Sequence, residues 1–211
     1  ILLSIHNWAD QVNDAQTVLV WRKKSGIKED VDLDEATKRG IPVGNTPGVL
    51  TETTADFAFA LLMAAGRRVS EGDRYTRSGK WKTWGPMVLL GQDIHGSTLG
   101  IIGLGRIGVE IAKRASGFNM NVIYHDAIRN EQAEKDHSIR FCTDITQVLT
   151  ESDFVSVHVP LTPETRHLID DKALASMKST ATLINTSRGP VVDPKALYKA
   201  LSSGMIASAA L

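Results

Sequence analysis

Short apolar runs alternate with segments of helical periodicity from residue 98 to the last residue of the sequence. The runs have the length of buried β-strands, and strands are predicted at Leu99–Ile102, Met120–Tyr124, Ile139–Cys142, Asp153–Val159, Ala181–Thr186 and Met205–Leu211. Between them, helices are predicted at Arg106–Gly117, Asp144–Glu151, Asp170–Met177 and Asp193–Ser203. This alternation indicates a parallel sheet covered by helices on both faces, which is an α/β fold.

Residues at the ends of two predicted helices favour the same boundaries. Asp144 and Asp193 stand where a side-chain oxygen can accept hydrogen bonds from the first backbone amides of a helix. Pro194 occupies the first helical position after Asp193, and Gly204 stands where that helix ends. The helix at 193–203 is therefore predicted together with both of its ends.

The pattern before residue 98 is less regular. A strand is predicted at Thr17–Trp21 and a short helix at Asp34–Arg39, whereas Ile41–Gly48 is rich in Pro and Gly and is predicted to be a loop. Thr53–Asp56 has the pattern of a capping box, and Phe57–Ala65 is apolar on nearly every side. We therefore expect a buried helix here, of the kind that lies between domains or subunits.

Three glycines follow the first strand of the alternating region. Gly103, Gly105 and Gly108 form the pattern G-x-G-x-x-G between a strand and a helix, and Asp126 closes the next strand. In a dinucleotide-binding βαβ unit the first glycine permits a tight turn, the second lets the backbone approach a pyrophosphate, and the third allows close packing of helix and strand. The sequence thus predicts a Rossmann-type doubly wound parallel sheet, with a glycine-rich turn in an ordinary α/β protein as the alternative.

Asp126 bears on which dinucleotide is bound. A carboxylate at this position accepts hydrogen bonds from the ribose hydroxyls of NAD and repels the 2′-phosphate of NADP. Arg129 follows three residues later and could weaken that repulsion. The predicted cofactor is therefore NAD, with NADP left open, and the alternative for Asp126 is a solvated turn residue.

The composition excludes several functional classes. The 211 residues contain 24 Lys plus Arg and 24 Asp plus Glu, so no basic excess indicates nucleic acid or an anionic membrane as a partner. Phe57–Ala65 is too short to cross a bilayer, and no secretory signal is expected. The single Cys142 is expected to pack rather than react, and this cysteine usage favours a cytoplasmic location. No metal site is predicted.

Ligands of open parallel sheets bind beyond the carboxyl ends of the strands. Three predicted strand ends are informative: Gly103–Arg106, His158–Pro160 and Thr186–Gly189. The last contains Arg188, whose planar guanidinium suits bidentate binding of a carboxylate. Beside a nicotinamide, Arg188 is predicted to hold a 2-oxo acid and polarise its carbonyl; the alternative is a surface salt bridge.

Several motifs together make the chain resemble the D-isomer-specific 2-hydroxyacid dehydrogenases, and most closely their glyoxylate/hydroxypyruvate reductase branch. The motifs lie in the family's order and at its spacing, and they cover roughly residues 31–211. They are Ala36–Val43, Asn45–Thr51 with Thr54–Asp56, Trp84–Pro86, Gly100–Gly108, Val157–Thr165 and Asn185–Gly189. Each motif alone is unspecific, whereas the set is highly specific.

The resemblance implies a role for each matched residue. At the phosphate end of the cofactor, it implies that the pyrophosphate is wrapped by Leu104, Gly105, Arg106 and Ile107, and that Asp126 binds the adenosine ribose. His158 and Pro160 would line the cleft. At the other end, Thr186 would approach the nicotinamide ribose and Thr54 the nicotinamide ring. It implies that Arg188 orients the substrate. It also implies a homodimer contact through the helix from Thr53 and the arm that carries Trp81 and Trp84, although local packing explains two neighbouring tryptophans almost as well.

The resemblance also implies a domain division and a missing pair of residues. Residues 1–47 would belong to a partial substrate (lid) domain, and residues 48–211 to a dinucleotide-binding domain that includes an interdomain helix and dimer arm at 48–97. In the family, a protonated His held by a Glu gives a proton to the carbonyl oxygen as hydride leaves the nicotinamide. Both residues lie C-terminal to the arginine in the family, and no His here matches that position, so this chain alone is expected to be inactive.

Three functional hypotheses follow. The leading one is an NAD(P)-dependent oxidoreductase that reduces a small 2-oxo acid, glyoxylate or hydroxypyruvate, in its complete form. The second is a non-enzymatic protein that senses the dinucleotide, because the C-terminal-binding-protein corepressors resemble the same family. The third is an inactive fragment. Trp84–Pro86 favours the reductase branch.

Overall fold

The computed structural model describes residues 18–19, 33–40, 43–44 and 48–211. The chain divides into two units, residues 1–49 and residues 50–211. In the first unit, strands β1 (Val18–Leu19) and β2 (Val43–Gly44) pair in parallel, and helix α1 spans Leu33–Lys38. Helix α1 confirms the prediction at 34–39, and β2 corrects the predicted loop at 41–48, because β-branched Val43 joins a strand pair that local Pro and Gly do not reveal. The rest of the strand predicted at 17–21 lies outside the described residues.

The second unit is built on a six-stranded parallel sheet. Its strands are β3 (Thr98–Ile102), β4 (Asn121–His125), β5 (Arg140–Phe141), β6 (Phe154–Val157), β7 (Thr182–Asn185) and β8 (Ser208–Ala210). Their order across the sheet is β5-β4-β3-β6-β7-β8, and each neighbouring pair is parallel. The sheet therefore grows outward from its first strand in both directions, which confirms the predicted Rossmann-type doubly wound sheet.

Helices cover both faces of this sheet. One face packs against α2 (Thr51–Gly66), α4 (Arg106–Ser116) and α5 (Glu131–His137), and the other packs against α6 (Ile145–Glu151), α7 (Asp171–Ser176) and α8 (Pro194–Ser202). Strand β3 serves both layers, because Leu99 and Ile101 join one apolar cluster and Ile102 joins the other. The remaining helix, α3 (Val69–Arg77), follows α2 and has no buried residue.

The predicted helix ends are confirmed where side chains cap them. Asp144 accepts a hydrogen bond from the amide of Thr146 at 2.9 Å. Asp193 accepts from the amides of Lys195 and Ala196 at 2.8 and 3.2 Å, with a proline at the first helical position. Gly204 has a φ of +69°, the left-handed conformation that ends a helix without steric cost.

Helix α2 begins earlier than the sequence predicts. It starts at Thr51, and the preceding Leu50 makes no side-chain capping hydrogen bond. The predicted capping box at 53–56 is wrong, because these residues already lie within the first turns, where the amide of Thr54 donates to the carbonyl of Leu50 at 2.9 Å.

Burial of α2 is confined to one side. The residues that face the sheet and α4 are buried, whereas Phe57 on the other side is 57 % exposed. The prediction of a helix buried on nearly every side is therefore wrong for this chain taken alone; the buried residues are Ala55, Ala58, Phe59, Leu62 and Gly66.

The periodicity of apolar residues does not indicate two polar helices, α3 and α5. Helix α5 is capped by Asn130, whose side chain accepts from the amide of Ala133 at 3.0 Å. Helix α3 carries an Arg77–Asp73 ion pair at 2.8 Å between residues one turn apart. Local polar contacts rather than apolar periodicity hold these two segments helical. Within the described parts of the chain, no helix is long and apolar enough to cross a membrane.

Candidate functional site at the carboxyl edge of the sheet

The carboxyl ends of four central strands lie in one row. Strand pairing aligns the last residues of β3, β4, β6 and β7, which are Ile102, His125, Val157 and Asn185. The next residues, one step beyond this row, are Gly103, Asp126, His158 and Thr186. We call this the carboxyl edge. It includes the point between β3 and β6 where the winding of the sheet reverses, which is where doubly wound sheets bind ligands.

The turn after β3, residues 103–108, is shaped by two of its three glycines. Gly103 has a φ of +94°, and a Cβ there would lie 2.9 Å from the carbonyl carbon of His158. A Cβ on Gly108 would lie 2.4 Å from the carbonyl oxygen of Gly103. The fold therefore requires glycine at both positions, as predicted. We call residues 103–108 the glycine turn.

Gly105 has no such requirement within the described residues. Its φ of −74° suits any residue, and a Cβ there would meet nothing within 4 Å. It stands at the N-terminus of α4 with no side-chain capping hydrogen bond, so the first helix amides have no side-chain acceptor at that cap. Open space therefore surrounds the Cβ position of Gly105, at the N-terminus of α4. That open space and the positive end of the helix dipole fit a pyrophosphate group.

Asp126 ties the end of β4 to the glycine turn. Its Oδ2 accepts from the amide of Leu104 at 2.6 Å, and its Oδ1 accepts from the amide of Ile128 at 3.3 Å. Among the described residues, no cationic side chain lies within 4.0 Å of the Asp126 carboxylate. The carboxylate therefore has no cationic partner among these residues, and it has lone pairs beyond these two hydrogen bonds. The sequence did not predict the contact with Leu104.

Arg129 forms a different contact from the one its sequence position suggested. Its Nε and Nη2 donate to Oε1 and Oε2 of Glu134 at 2.9 and 2.8 Å. This pairing holds the pKa of Glu134 down at about 2. Burial and the neighbouring Glu134 raise the pKa of Tyr124, which donates to the same carboxylate, to about 12. The charge of Arg129 is thus already matched by Glu134, and its expected effect on repulsion at Asp126 stays a prediction.

His158 follows β6 and lies against the glycine turn. Its amide donates to the carbonyl of Ile102 at 2.7 Å, and its Nε2 is hydrogen-bonded to Oγ of the buried Ser156 at 2.7 Å. The exposed Pro160 continues the same loop, and its carbonyl accepts from Thr165. Ser156 is a positioning residue that the sequence analysis missed. The signal for it was a hydroxyl inside an otherwise apolar strand.

The turn after β7, residues 186–189, is held by the side chain of Asn185. The Asn185 amide group donates to the carbonyl of Arg188 at 2.9 Å and accepts from the amide and hydroxyl of Ser187 at 3.0 and 2.7 Å. Asn185 is only 6 % exposed, so these bonds are protected from water. We call residues 186–189 the arginine turn. Asn185, like Ser156, is a polar residue in a buried strand that sequence reasoning overlooked as a functional residue.

Two groups of the arginine turn are left without strong partners. Arg188 donates from Nη1 to the carbonyl of Ser187 at 2.8 Å, and no described carboxylate lies within 4.0 Å of it. The buried Oγ1 of Thr186 has no hydrogen-bond partner among the described residues. Both residues line a cavity of about 560 Å³. An unpaired buried hydroxyl is costly unless a ligand completes it, so Thr186 fits a polar ligand group at this position.

Other predicted residues are not joined to this edge by a described contact. Thr54 lies partly exposed on the first turns of α2, and Trp81 and Trp84 are 55 % and 77 % exposed. Cys142 is buried, and burial raises the pKa of its thiol, so it packs rather than reacts. The described residues contain no group of His, Cys, Asp and Glu that could hold a metal ion.

Comparison with known proteins gives a consistent family. The model of the D-isomer specific 2-hydroxyacid dehydrogenase NAD binding domain matches residues 59–211. The glyoxylate reductase of Korarchaeum cryptofilum is 61 % identical over 184 residues, which are 87 % of this chain and 55 % of that protein. The chain spans about half the length of the curated relatives it matches.

Solved structures agree with the sequence comparisons. The TT0316 protein of Thermus thermophilus superimposes with a TM-score of 0.81 at 48 % identity, covering 88 % of this chain and 57 % of that one. An NAD-complexed D-isomer specific 2-hydroxyacid dehydrogenase from Lactobacillus delbrueckii ssp. bulgaricus gives a TM-score of 0.75 at 35 % identity, covering 84 % of this chain and 53 % of that one. The predicted family resemblance and the predicted class of cofactor are confirmed.

Proposed function

Because the chain belongs to the D-isomer specific 2-hydroxyacid dehydrogenase family, we propose that the complete protein is an NAD(P)-dependent reductase of a small 2-oxo acid. The observation that carries this proposal is the carboxyl edge itself. It combines open space at the N-terminus of α4 with two charged side chains, the Asp126 carboxylate and the Arg188 guanidinium, that have no oppositely charged partner among the described residues. Glyoxylate is the proposed substrate, because relatives at 61 % and 54 % identity are glyoxylate reductases. Hydroxypyruvate is the second candidate.

The glycine turn and its neighbours are proposed to bind the dinucleotide. The turn, including Leu104, Arg106 and Ile107, would face the pyrophosphate, and Asp126 would accept hydrogen bonds from the adenosine ribose. On the other side of the switch point, His158 and Pro160 would line the cleft. The unpaired Oγ1 of Thr186 would gain a partner at the nicotinamide ribose, and Thr54 would approach the ring. When bound, the nicotinamide supplies the hydride for reduction of the carbonyl.

Arg188 is proposed to orient the substrate. Its guanidinium is permanently charged, presents donors in a planar fork and is partly exposed, so it can bind the carboxylate of a 2-oxo acid. The same charge polarises the adjacent carbonyl and stabilises negative charge that develops on its oxygen. Asn185 would keep the arginine turn in place during this process, because it binds the backbone on both sides of Arg188.

The test is binding and turnover measured side by side on the complete protein. Fluorescence titration with NADH and NADPH measures cofactor binding, and glyoxylate-dependent oxidation of the nicotinamide measures turnover. We expect micromolar binding of at least one dinucleotide, together with turnover of glyoxylate. Absence of binding by both dinucleotides contradicts the proposal. Binding without turnover of glyoxylate, hydroxypyruvate or another 2-oxo acid favours a dinucleotide sensor, an alternative that the comparisons do not favour.

A homodimer is proposed from the exposed apolar side chains that follow the start of α2. In this part of the chain the exposed fractions reach 57 % at Phe57, 77 % at Trp84 and 75 % at Met87. Many exposed apolar side chains in one part of a chain are typical of a protein–protein contact. The occupant is proposed to be a second copy of the chain, and the exposed side chains are those of Phe57, Val69, Trp81, Trp84, Met87, Val88 and Leu90.

Sedimentation equilibrium tests the dimer. We expect Phe57→Glu to shift the protein from dimer to monomer, because a charge would be buried at the contact. Tyr198→Glu is a matched control, since Tyr198 is 74 % exposed on α8, on the opposite face of the sheet. A monomeric wild-type protein would contradict the proposal.

A cytoplasmic location is proposed as well, because the only cysteine is a buried free thiol that needs no oxidising compartment.

A further inference from the structure

The loop between β4 and α5 carries a cation three residues after Asp126, the residue proposed to bind the adenosine ribose. That cation, Arg129, is 53 % exposed, yet both carboxylate oxygens of Glu134 accept from it in a bidentate pair. Its guanidinium carbon also lies 5.4 Å from the centre of the Phe141 ring. A planar guanidinium held by a bidentate carboxylate and an aromatic ring has a defined position.

The hydroxyl of Tyr124 holds the carboxylate of Glu134 in position. The hydroxyl of Tyr124 donates to Oε1 of Glu134 at 2.8 Å and accepts from the amide of Asn130 at 2.8 Å. Tyr124 is completely buried, and its ring lies 5.2 Å from the Phe141 ring, centre to centre. The carboxylate is therefore positioned by the core of the domain and does not depend on Arg129 for its place.

The end of β4 consequently has an unbalanced charge. Asp126 has no cationic partner within 4.0 Å among the described residues, and the charge of its nearest arginine in sequence is matched by Glu134. A 2′-phosphate carries negative charge and is bound in proteins most readily by a free guanidinium. A protein can exclude a 2′-phosphate by neutralising the cationic side chain that would bind it, as well as by placing a carboxylate beside it.

We infer that Glu134, held by Tyr124, is a specificity-determining residue that keeps Arg129 from binding the 2′-phosphate of NADP. This inference rests on the proposed function, since it assumes that the adenosine ribose binds beside Asp126. Two carboxylates then divide the selection of the cofactor: Asp126 repels the 2′-phosphate, and Glu134 withholds the arginine that would attract it. Selection of NAD is thus encoded partly in α5, outside the glycine turn and the residue that closes β4.

The test compares the affinities of NADH and NADPH, measured by calorimetry on the full protein, across a small set of variants. Glu134→Gln keeps an acceptor for Tyr124 and removes the charge that pairs with Arg129. We expect NADPH affinity to rise about tenfold, with NADH affinity unchanged within about twofold, since charge-assisted contacts to a phosphate have this magnitude. Adding Arg129→Gln to Glu134→Gln should abolish the rise.

A matched control separates this effect from a general loss of negative charge. Glu151→Gln breaks the ion pair with Arg140, which is also 53 % exposed, and should leave the NADH to NADPH ratio unchanged. If Glu134→Gln does not fold, Glu134→Asp shortens the side chain and breaks the bidentate geometry while keeping the charge, and a smaller rise is expected.

Two results would overturn the inference: an unchanged ratio in Glu134→Gln, or a rise that persists without Arg129. In both cases the wild-type protein still binds NADH, so the proposed function stands. A wild-type protein that binds neither dinucleotide contradicts the proposed function, and this inference with it.

Discussion

The glycine turn and the arginine turn lie at the same edge of one sheet but are built in opposite ways. In the glycine turn, close backbone packing decides the shape, because a Cβ on Gly108 would come within 2.4 Å of a carbonyl oxygen. In the arginine turn, the Asn185 side chain holds the backbone, while the buried hydroxyl of Thr186 has no partner among the described residues. Backbone packing sets the shape of one turn, whereas a side chain sets the shape of the other and leaves polar groups that a ligand could complete.

The two turns therefore contribute in different ways, one through the position of its backbone and the other through a charged side chain. A phosphate site at a helix N-terminus needs backbone amides in the right place and little else. A substrate site needs a charged side chain that is held in position but not neutralised by the protein. Substitution of Arg188 should therefore change turnover, whereas substitution of Gly105 should change cofactor binding.

Arg188→Gln should lower kcat/KM for glyoxylate by about 10²–10³-fold, because the variant loses the charge that binds the carboxylate and polarises the carbonyl. NADH affinity should change by less than about twofold, since the Arg188 side chain is proposed to bind the substrate and not the cofactor. Steady-state kinetics and NADH titration measure the two quantities. Arg166→Gln is a control that removes a charge from the same cavity. A comparable loss in that control would deny Arg188 its special role.

Gly108→Val should destabilise the domain by about 3 kcal/mol, since its Cβ would overlap the carbonyl oxygen of Gly103 and force the glycine turn apart. Urea unfolding measures the change. Gly204→Ala, at a helix end with nothing within 4 Å, is the control and should cost less because only its positive φ is strained. Equal stability of Gly108→Val and wild type would contradict the packing account.

Asn185→Ala should cost about 2 kcal/mol of stability, because the partly buried carbonyl of Arg188 and amide of Ser187 lose their partner. It should also lower turnover more than NADH binding, since the arginine turn would lose its anchor. Asn185→Asp keeps the acceptor for Ser187 and should retain more of the turnover. A variant whose turnover matches wild type would show that Arg188 is positioned by other contacts.

Gly105→Ala should weaken NADH binding by about tenfold and leave the free energy of unfolding unchanged within about 0.5 kcal/mol. The methyl group meets no protein atom within 4 Å, but it takes up open space at the N-terminus of α4, where the pyrophosphate is proposed to bind. Calorimetric titration and urea unfolding of the same preparation check both parts. Unchanged NADH affinity would remove the glycine turn from the proposed cofactor site.

Acid pH should give the smallest effect. The pKa of Glu134 lies at about 2, below the 4.5 of an unperturbed glutamate, so its ionised form stabilises the folded state. That stabilisation is complete above about pH 4.5 and is lost as pH falls toward 2. Between these pH values, the melting temperature should fall more steeply with decreasing pH for wild type than for Glu134→Gln. Parallel curves would show that the Arg129–Glu134 pair does not contribute to stability.

Much of the fold could be predicted because the sheet is buried on both faces. Apolar strands such as 99–102 and 154–157 stand out from their polar surroundings, and caps such as Asp193 mark the helices between them. Helices α3 and α5 could not be found in this way, because their stability comes from ion pairs and a side-chain cap. The short strand β2 depends on a partner far away in sequence.

The candidate site was predictable to the extent that its residues end strands. Gly103, Asp126, His158 and Thr186 share one edge because the strand register places them there. The roles of Asn185 and Glu134 were not predictable, because they depend on contacts between side chains and loops that periodicity does not encode. The same holds for the pairing of Arg129 with Glu134, which its position near Asp126 in sequence does not indicate.

Binding of oxamate, an unreactive analogue of a 2-oxo acid, in the presence of saturating NADH tests the central claim most directly. Calorimetry should detect oxamate binding to the wild-type complex and no binding to the Arg188→Gln complex, while NADH binds both proteins with the same affinity within about twofold. Equal oxamate binding by both proteins, or loss of NADH binding in the variant, would contradict the division of the carboxyl edge into a cofactor side and a substrate side.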